Sequence, residues 1–145
     1  MKLGGGAPRR IVGYMLNGTA QASVLGQVVS ASTSDDNTYV AAAAGGTRAC
    51  GVVGQAGIAV GGMVPIIRHG RAQVLFETDA ATTRGLWATL SVDEAGRASD
   101  DYAAGGDVYA QGIGMILESK DANVLVWCSL TFSKYGDVPV GIVED

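Results

Sequence analysis

The stretch from Ala49 to Phe76, ACGVVGQAGIAVGGMVPIIRHGRAQVLF, constrains the fold more than any other. Short apolar runs, CGVV, MVPII and AQVLF, are cut apart by Gly51, Gly54, Gly57, Gly61, Gly62 and Gly70. A helix needs an apolar stripe sustained over roughly 10 residues, whereas short runs bounded by glycine suit strands joined by tight turns. The expectation is therefore an all-β fold, a small β-barrel or β-sandwich, with extended N- and C-terminal arms. Pro65 lacks a backbone donor, so its strand should be an edge, a strand start or a bulge.

The flanking sequence follows the same grammar. MKLGGGAPRR cannot bury a face of its own and reads as an arm. IVGYML then runs into Asn17-Gly18, a dipeptide that accepts positive φ and predicts a hairpin turn. Asn17-Gly18-Thr19 also matches a glycosylation sequon, a match expected to be empty without a signal peptide. ASVLGQVVS (22–30) reads as the first barrel strand with a bend at Gly26, and YVAAAA (39–44) as a strand ended by Gly45-Gly46. Asp35, Asp36 and Asn37 between them lack the spacing and distal Glu of a calcium loop and read as a solvated turn.

Beyond the central stretch, LWATLSV (86–92) alternates, with Leu86, Ala88, Leu90 and Val92 on one face and Trp87, Thr89 and Ser91 on the other. Asp93 to Gly96 makes a turn and Arg97 begins the return. GIGMILES (112–119) and VLVWCSLTF (124–132) flank a hairpin loop, with Val124, Val126, Cys128, Leu130 and Phe132 directed to the core. Trp127 then faces outward or lies partly under a loop. SKYGDVPVGIVED forms a second tail. Residues 1–21 are read as an arm with a short strand, 22–133 as the β domain and 134–145 as the C-terminal tail.

Charge bounds the partners. Only 17% of residues are charged, so either part of the surface is covered by another protein chain, or abundant Ala and Gly merely raise the apolar share. A net charge of −4 argues against direct nucleic-acid binding, and no run approaches the ~18 apolar residues of a membrane helix. Synthesis in a cytoplasm is expected. Cys50 and Cys128, far apart and without C-x-x-C spacing, read as core hydrophobes, so no metal, disulfide framework or cofactor is expected.

Catalytic chemistry finds little footing. His69, the single histidine, sits beside Gly70 in a predicted turn and needs a nearby Ser, Cys or Thr to act as a base. The carboxylate pairs Asp93-Glu94 and Asp100-Asp101 lie on turns and point apart. Gly112-Ile113-Gly114 lacks the third glycine and helix of a dinucleotide site. Ala81 to Arg84 (ATTR) has hydroxyls and a guanidinium for an anion, but a simple polar loop is the better explanation.

Gly51-Val52-Val53, Gly62 to Ile66, Gly70 to Val74, Thr82 to Gly85, Gly96-Arg97 and Gly112 to Ser119 resemble, in order and spacing, small capsid decoration (cement) proteins of tailed bacteriophages. The resemblance spans Val24 to Phe132. It implies a structural virion protein on the outer capsid surface, often a homotrimer, that clamps neighbouring major capsid proteins and stabilises the expanded, DNA-filled head. It implies a β-tulip-like version of the barrel or sandwich and no enzymatic activity. Arg9, Arg10 and Ile11 in the arm, Trp87, Trp127 and, in the tail, Tyr135 are the candidate partner or oligomer contacts. The alternative is a carbohydrate- or ligand-binding β module, using Trp87 with Tyr102 and Tyr109.

Overall fold

The computed structural model describes residues 10–78, 81–100, 111–121 and 125–132, and these contain strands and no helix. The strands are β1 (Ile11–Asn17), β2 (Val28–Ala31), β3 (Thr38–Ala41), β4 (Ala49–Val53), β5 (Met63–Leu75), β6 (Trp87–Leu90), β7 (Ala98–Ser99), β8 (Gly112–Ile116) and β9 (Leu125–Thr131). β1 pairs in parallel with β3. β3 pairs antiparallel with β2, β2 with β4, β4 with β5, and β5 with β1. That circuit is a closed five-stranded barrel, which leaves no edge among its staves.

Each stave sends side chains inward. Met15, Val29, Tyr39, Val53, Val64 and Ile66 form the barrel interior, and Tyr39 is fully buried there. Their neighbours on the outer face, Val28, Val52 and Ile67, lie in one cross-strand row and belong to a second core. Period-2 alternation thus lets one short strand serve two cores.

The second core is roofed by the part of the single nine-stranded sheet that lies beyond the barrel, called the second sheet below. The C-terminal half of β5 pairs with β9, β9 with β8, β8 with β6 and β6 with β7, all antiparallel. A bridge from Phe76 to Ala98 and the Glu77 N–H to Ala98 carbonyl bond (2.9 Å) bring β7 back to the end of β5, so the sheet curls around its contents. Ala72, Val74, Phe76, Ala88, Leu90, Ile113, Ile116, Val126, Cys128 and Leu130 fill it.

β5 is therefore the shared element. MVPII and AQVLF, expected as separate strands, form one strand of 13 residues. Gly70 has φ +92°, a value that L side chains adopt only with strain, and it sits where β5 passes from the barrel to the second sheet. His69, expected in a turn, lies inside that strand. Pro65 is third in the strand. Its carbonyl accepts the Gly54 N–H (2.9 Å); a strand residue's N–H and C=O point the same way, so the missing donor faces that side, just beyond the last β4–β5 pair, and not β1.

Two further expectations are corrected. Asn17-Gly18 makes no hairpin, because β1 pairs with β5 and β3 rather than with the next strand. Asn17 is buried instead: its Nδ2 donates to the Gln21 and Ile58 carbonyls (2.9 and 3.0 Å), while Oδ1 accepts from Thr19 N–H and Oγ1. In the folded chain both donors of the amide nitrogen are therefore used. The strand expected over 22–30 shrinks to Val28–Ala31, because Gly26 turns at φ +82° and donates its N–H to the Val53 carbonyl.

Candidate interaction surface

The β8–β9 hairpin fixes the sidedness of the second sheet. Val126, Cys128 and Leu130 point inward and are fully buried; Leu125, Trp127 and Ser129 alternate outward and are half-buried. Register then builds the outer face. One row runs Trp87, Met115, Ser129, Arg71 across β6, β8, β9 and β5. The next runs from Leu117, whose N–H bonds the Trp127 carbonyl (2.9 Å), through Trp127 to Gln73.

Trp87 and Trp127, far apart in sequence, thus lie on one face, two strands and one row apart, about 12 Å between Cα atoms from standard sheet spacings. Met115 (42% exposed) and Leu117 (36%) lie between them. The Arg71 guanidinium carbon stands 5.7 Å from the Trp127 ring centroid, within cation–π range. The Trp127 N–H donates to Glu118 Oε1 (3.0 Å), and Lys120 pairs with the same oxygen at 3.9 Å. Trp87 Nε1 is buried without a hydrogen-bond acceptor, so the ring is held by packing.

Arg71 links this face to the N-terminal segment. Arg10 Nε donates to the Arg71 carbonyl at 3.0 Å, and Ile11 pairs opposite His69. Thr131, at the end of β9, pairs opposite His69 too. Both strands leading to the two predicted arms therefore end beside one residue of β5. Ile11 is 56% exposed, and Val12 and Tyr14 follow as exposed apolar residues on the barrel exterior, opposite Ile67 and Pro65. Arg9, Tyr135, Tyr102 and Tyr109 lie outside the described residues.

The remaining sequence candidates have structural explanations. The Thr82 hydroxyl donates to the Glu118 carbonyl (3.0 Å) and accepts from Lys120 N–H, while Arg84 N and Nε donate to Ser119 Oγ, which closes the ATTR loop onto the chain after β8. Gly112-Ile113-Gly114 is a strand: a Cβ at Gly114 would overlap the Ser129 carbonyl oxygen, so this glycine lets β9 approach. Ser91 Oγ donates to Glu77 Oε2 and accepts the Asp93 and Glu94 N–H groups (3.0 and 2.9 Å), which pins the turn before β7.

Burial, reinforced by the negative charge of Glu118, pushes the Cys128 thiol up to about 12. Cys50, only half-buried rather than a core residue, is also raised by desolvation, against the opposing influence of Arg68. Neither thiol is a ready nucleophile. Among the described residues no group of three His, Cys, Asp or Glu side chains could hold a metal ion.

Sequence reasoning named both tryptophans but missed their shared face. Alternation in GIGMILES places Met115 and Leu117 opposite Ile116, which was the available signal; the register that seats them beside Trp127 is long-range. Arg71 was missed because AQVLF alone gave it no neighbour.

No protein-family model matches the chain, and no curated protein sequence matches it. Solved structures do. The N base of the head fibre gp8.5 of bacteriophage phi29 is 15% identical with a TM-score of 0.54, over 87% of this chain and 98% of that one. A chain of the capsid of Myoviridae phage XM1 is 21% identical with a TM-score of 0.57, over 86% of each. The architecture of this protein is thus similar to that of phage head and capsid proteins across most of its length, as the resemblance in its strand pattern implied.

Proposed function

We propose that this chain is a structural virion protein that binds the outside of a phage capsid, contacts the major capsid protein and cements neighbouring subunits of the expanded head. The observation that carries this reading is the fold likeness to two phage head or capsid structures over 86–87% of the chain. The outer face of the second sheet supports it. Half-buried tryptophans flanked by exposed Met115 and Leu117 are the kind of surface on which aromatic anchors concentrate binding energy.

In this reading the protein acts as a homotrimer without catalysis. Arg9, Arg10, Ile11, Trp87, Trp127 and Tyr135 contact the shell or a neighbouring copy. Ordering an arm costs about 1–2 kcal/mol per residue of backbone entropy, so the arms are expected to order on the assembled shell. Trimerisation converts several weak attachments into one durable one. The protein would be made in the host cytoplasm and end on the outer surface of the virion.

The test is co-sedimentation of the purified protein with cognate expanded capsids. Saturable attachment at a fixed number of copies per capsid is expected. A protein that stays in the supernatant at every concentration contradicts the reading.

A further inference from the structure

A chain with a net charge of −4 nonetheless gathers basic side chains at one corner. Arg68, His69 and Arg71 fall within four consecutive residues of β5, and Arg10 reaches the Arg71 carbonyl from the base of the arm. Arg10, Arg68, His69 and Arg71 are all exposed. The ion pairs among the described residues are Arg97–Glu94 and Lys120–Glu118, and neither involves these arginines. Glu118, the carboxylate beyond Leu117, is already taken up by Lys120 and the Trp127 N–H.

Arg68 and Arg71 are three residues apart, roughly 10 Å along a strand. That is comparable to the screening length of about 8 Å at physiological salt, so their charges repel across solvent. Folding places them together, and among the described residues no carboxylate forms an ion pair with either. Beside them Ile11 and Val12 expose apolar surface, 56% and 40%.

We propose that this corner, around His69 where β1 begins and β9 ends, docks an acidic, partly apolar segment of the capsid subunit. The proposal rests on the capsid-binding reading and adds the chemistry of the partner. Opposite charge at an interface raises the encounter rate and fixes register. A protein segment fits better than nucleic acid: the basic residues form a small island on an acidic chain, interleaved with apolar side chains, rather than the extended basic stripe that tracks phosphates.

The test uses the full chain and cognate expanded capsids, with attachment measured from about 50 to about 500 mM NaCl. Wild-type attachment is expected to weaken about tenfold across this range. The double variant Arg10→Glu/Arg68→Glu leaves Arg71 over Trp127 in place. Measured below its own melting range, because it loses the Arg10 bond to the Arg71 carbonyl and the Arg68 contact with Met15 Sδ, it should bind about tenfold more weakly than wild type at low salt and converge with it at high salt. Attachment that neither salt nor charge reversal changes overturns the proposal and leaves the capsid-binding reading standing. Failure of the wild type to attach at any salt overturns both. Binding of a short DNA duplex that the same reversal abolishes, with capsid attachment untouched, makes the corner a nucleic-acid site and also overturns it.

Discussion

Replacing Trp127 with alanine separates packing from recognition. The ring is half-buried on the outer face of β9, with Arg71 stacked over it. Full burial makes Trp→Ala cost about 3–5 kcal/mol, so a half-buried ring should cost about 2. Loss of an exposed cation–π contact adds about 0.5–1 kcal/mol. For a chain of this size a loss of 2–3 kcal/mol lowers Tm by about 5–10 °C. If Trp127 also anchors a partner, attachment should weaken by more than 2 kcal/mol, about 30-fold, when measured below the melting range of the variant. Leu125→Ala is the control. Its side chain shares this face but packs where a Cβ on Gly26 would go, so it should lower Tm without weakening attachment. Full capsid binding by Trp127→Ala, despite the expected drop in Tm, would show that the ring only packs and would remove it from the contact surface.

Other expectations are equally open to test. Tyr39→Phe should be neutral or raise stability by about 1 kcal/mol in urea melts, because the Tyr39 hydroxyl is buried without a partner; a loss above 1 kcal/mol would reveal a bond to a buried water. Gly114→Ala should cost about 2–3 kcal/mol or prevent folding, since its Cβ would meet the β9 backbone rather than a side chain that can turn away. The Cys128 thiol is held neutral in the folded state, so its contribution is full below the usual thiol range near pH 9. It is withdrawn as pH rises toward about 12, at about 1.4 kcal/mol per pH unit, and Cys128→Ala should flatten that slope. Deleting residues 1 to 10 should weaken capsid attachment more than it lowers Tm, and equal losses would count against an arm.

Local chemistry made most strands legible. Alternation in VLVWCSLTF assigned Val124, Val126, Cys128, Leu130 and Phe132 to the core; the structure buries Val126, Cys128 and Leu130 and half-buries Phe132 against them, while Val124 lies outside the described residues. Glycine punctuation marked the turn at Gly96, which has φ +73°. The same punctuation misled at Gly70, where the backbone uses positive φ to bend a strand rather than end it. Asn17 misled for a related reason: an asparagine before glycine suits a hairpin, but its amide can equally bridge two distant carbonyls. Val92 was assigned to the core by extending the alternation of LWATLSV, yet β6 stops at Leu90 and Val92 is 44% exposed.

The pairing of β1 with both β3 and β5, which closes the barrel, joins segments dozens of residues apart. No local pattern encodes it. The candidate surface was hidden for the same reason, since Trp87, Met115, Trp127, Arg71 and Arg10 become neighbours only through four separate strand pairings. Residue types could nominate the aromatic anchors, but only register could join them to a basic corner.

The most direct test of a bracing role is the rupture temperature of cognate expanded heads, followed by calorimetry with and without the purified protein at saturating occupancy. Reinforcement of the shell predicts a rupture transition several degrees higher in decorated heads, lost again with Trp127→Ala. Saturated heads that rupture at the same temperature as bare ones would show a protein that rides on the capsid without strengthening it.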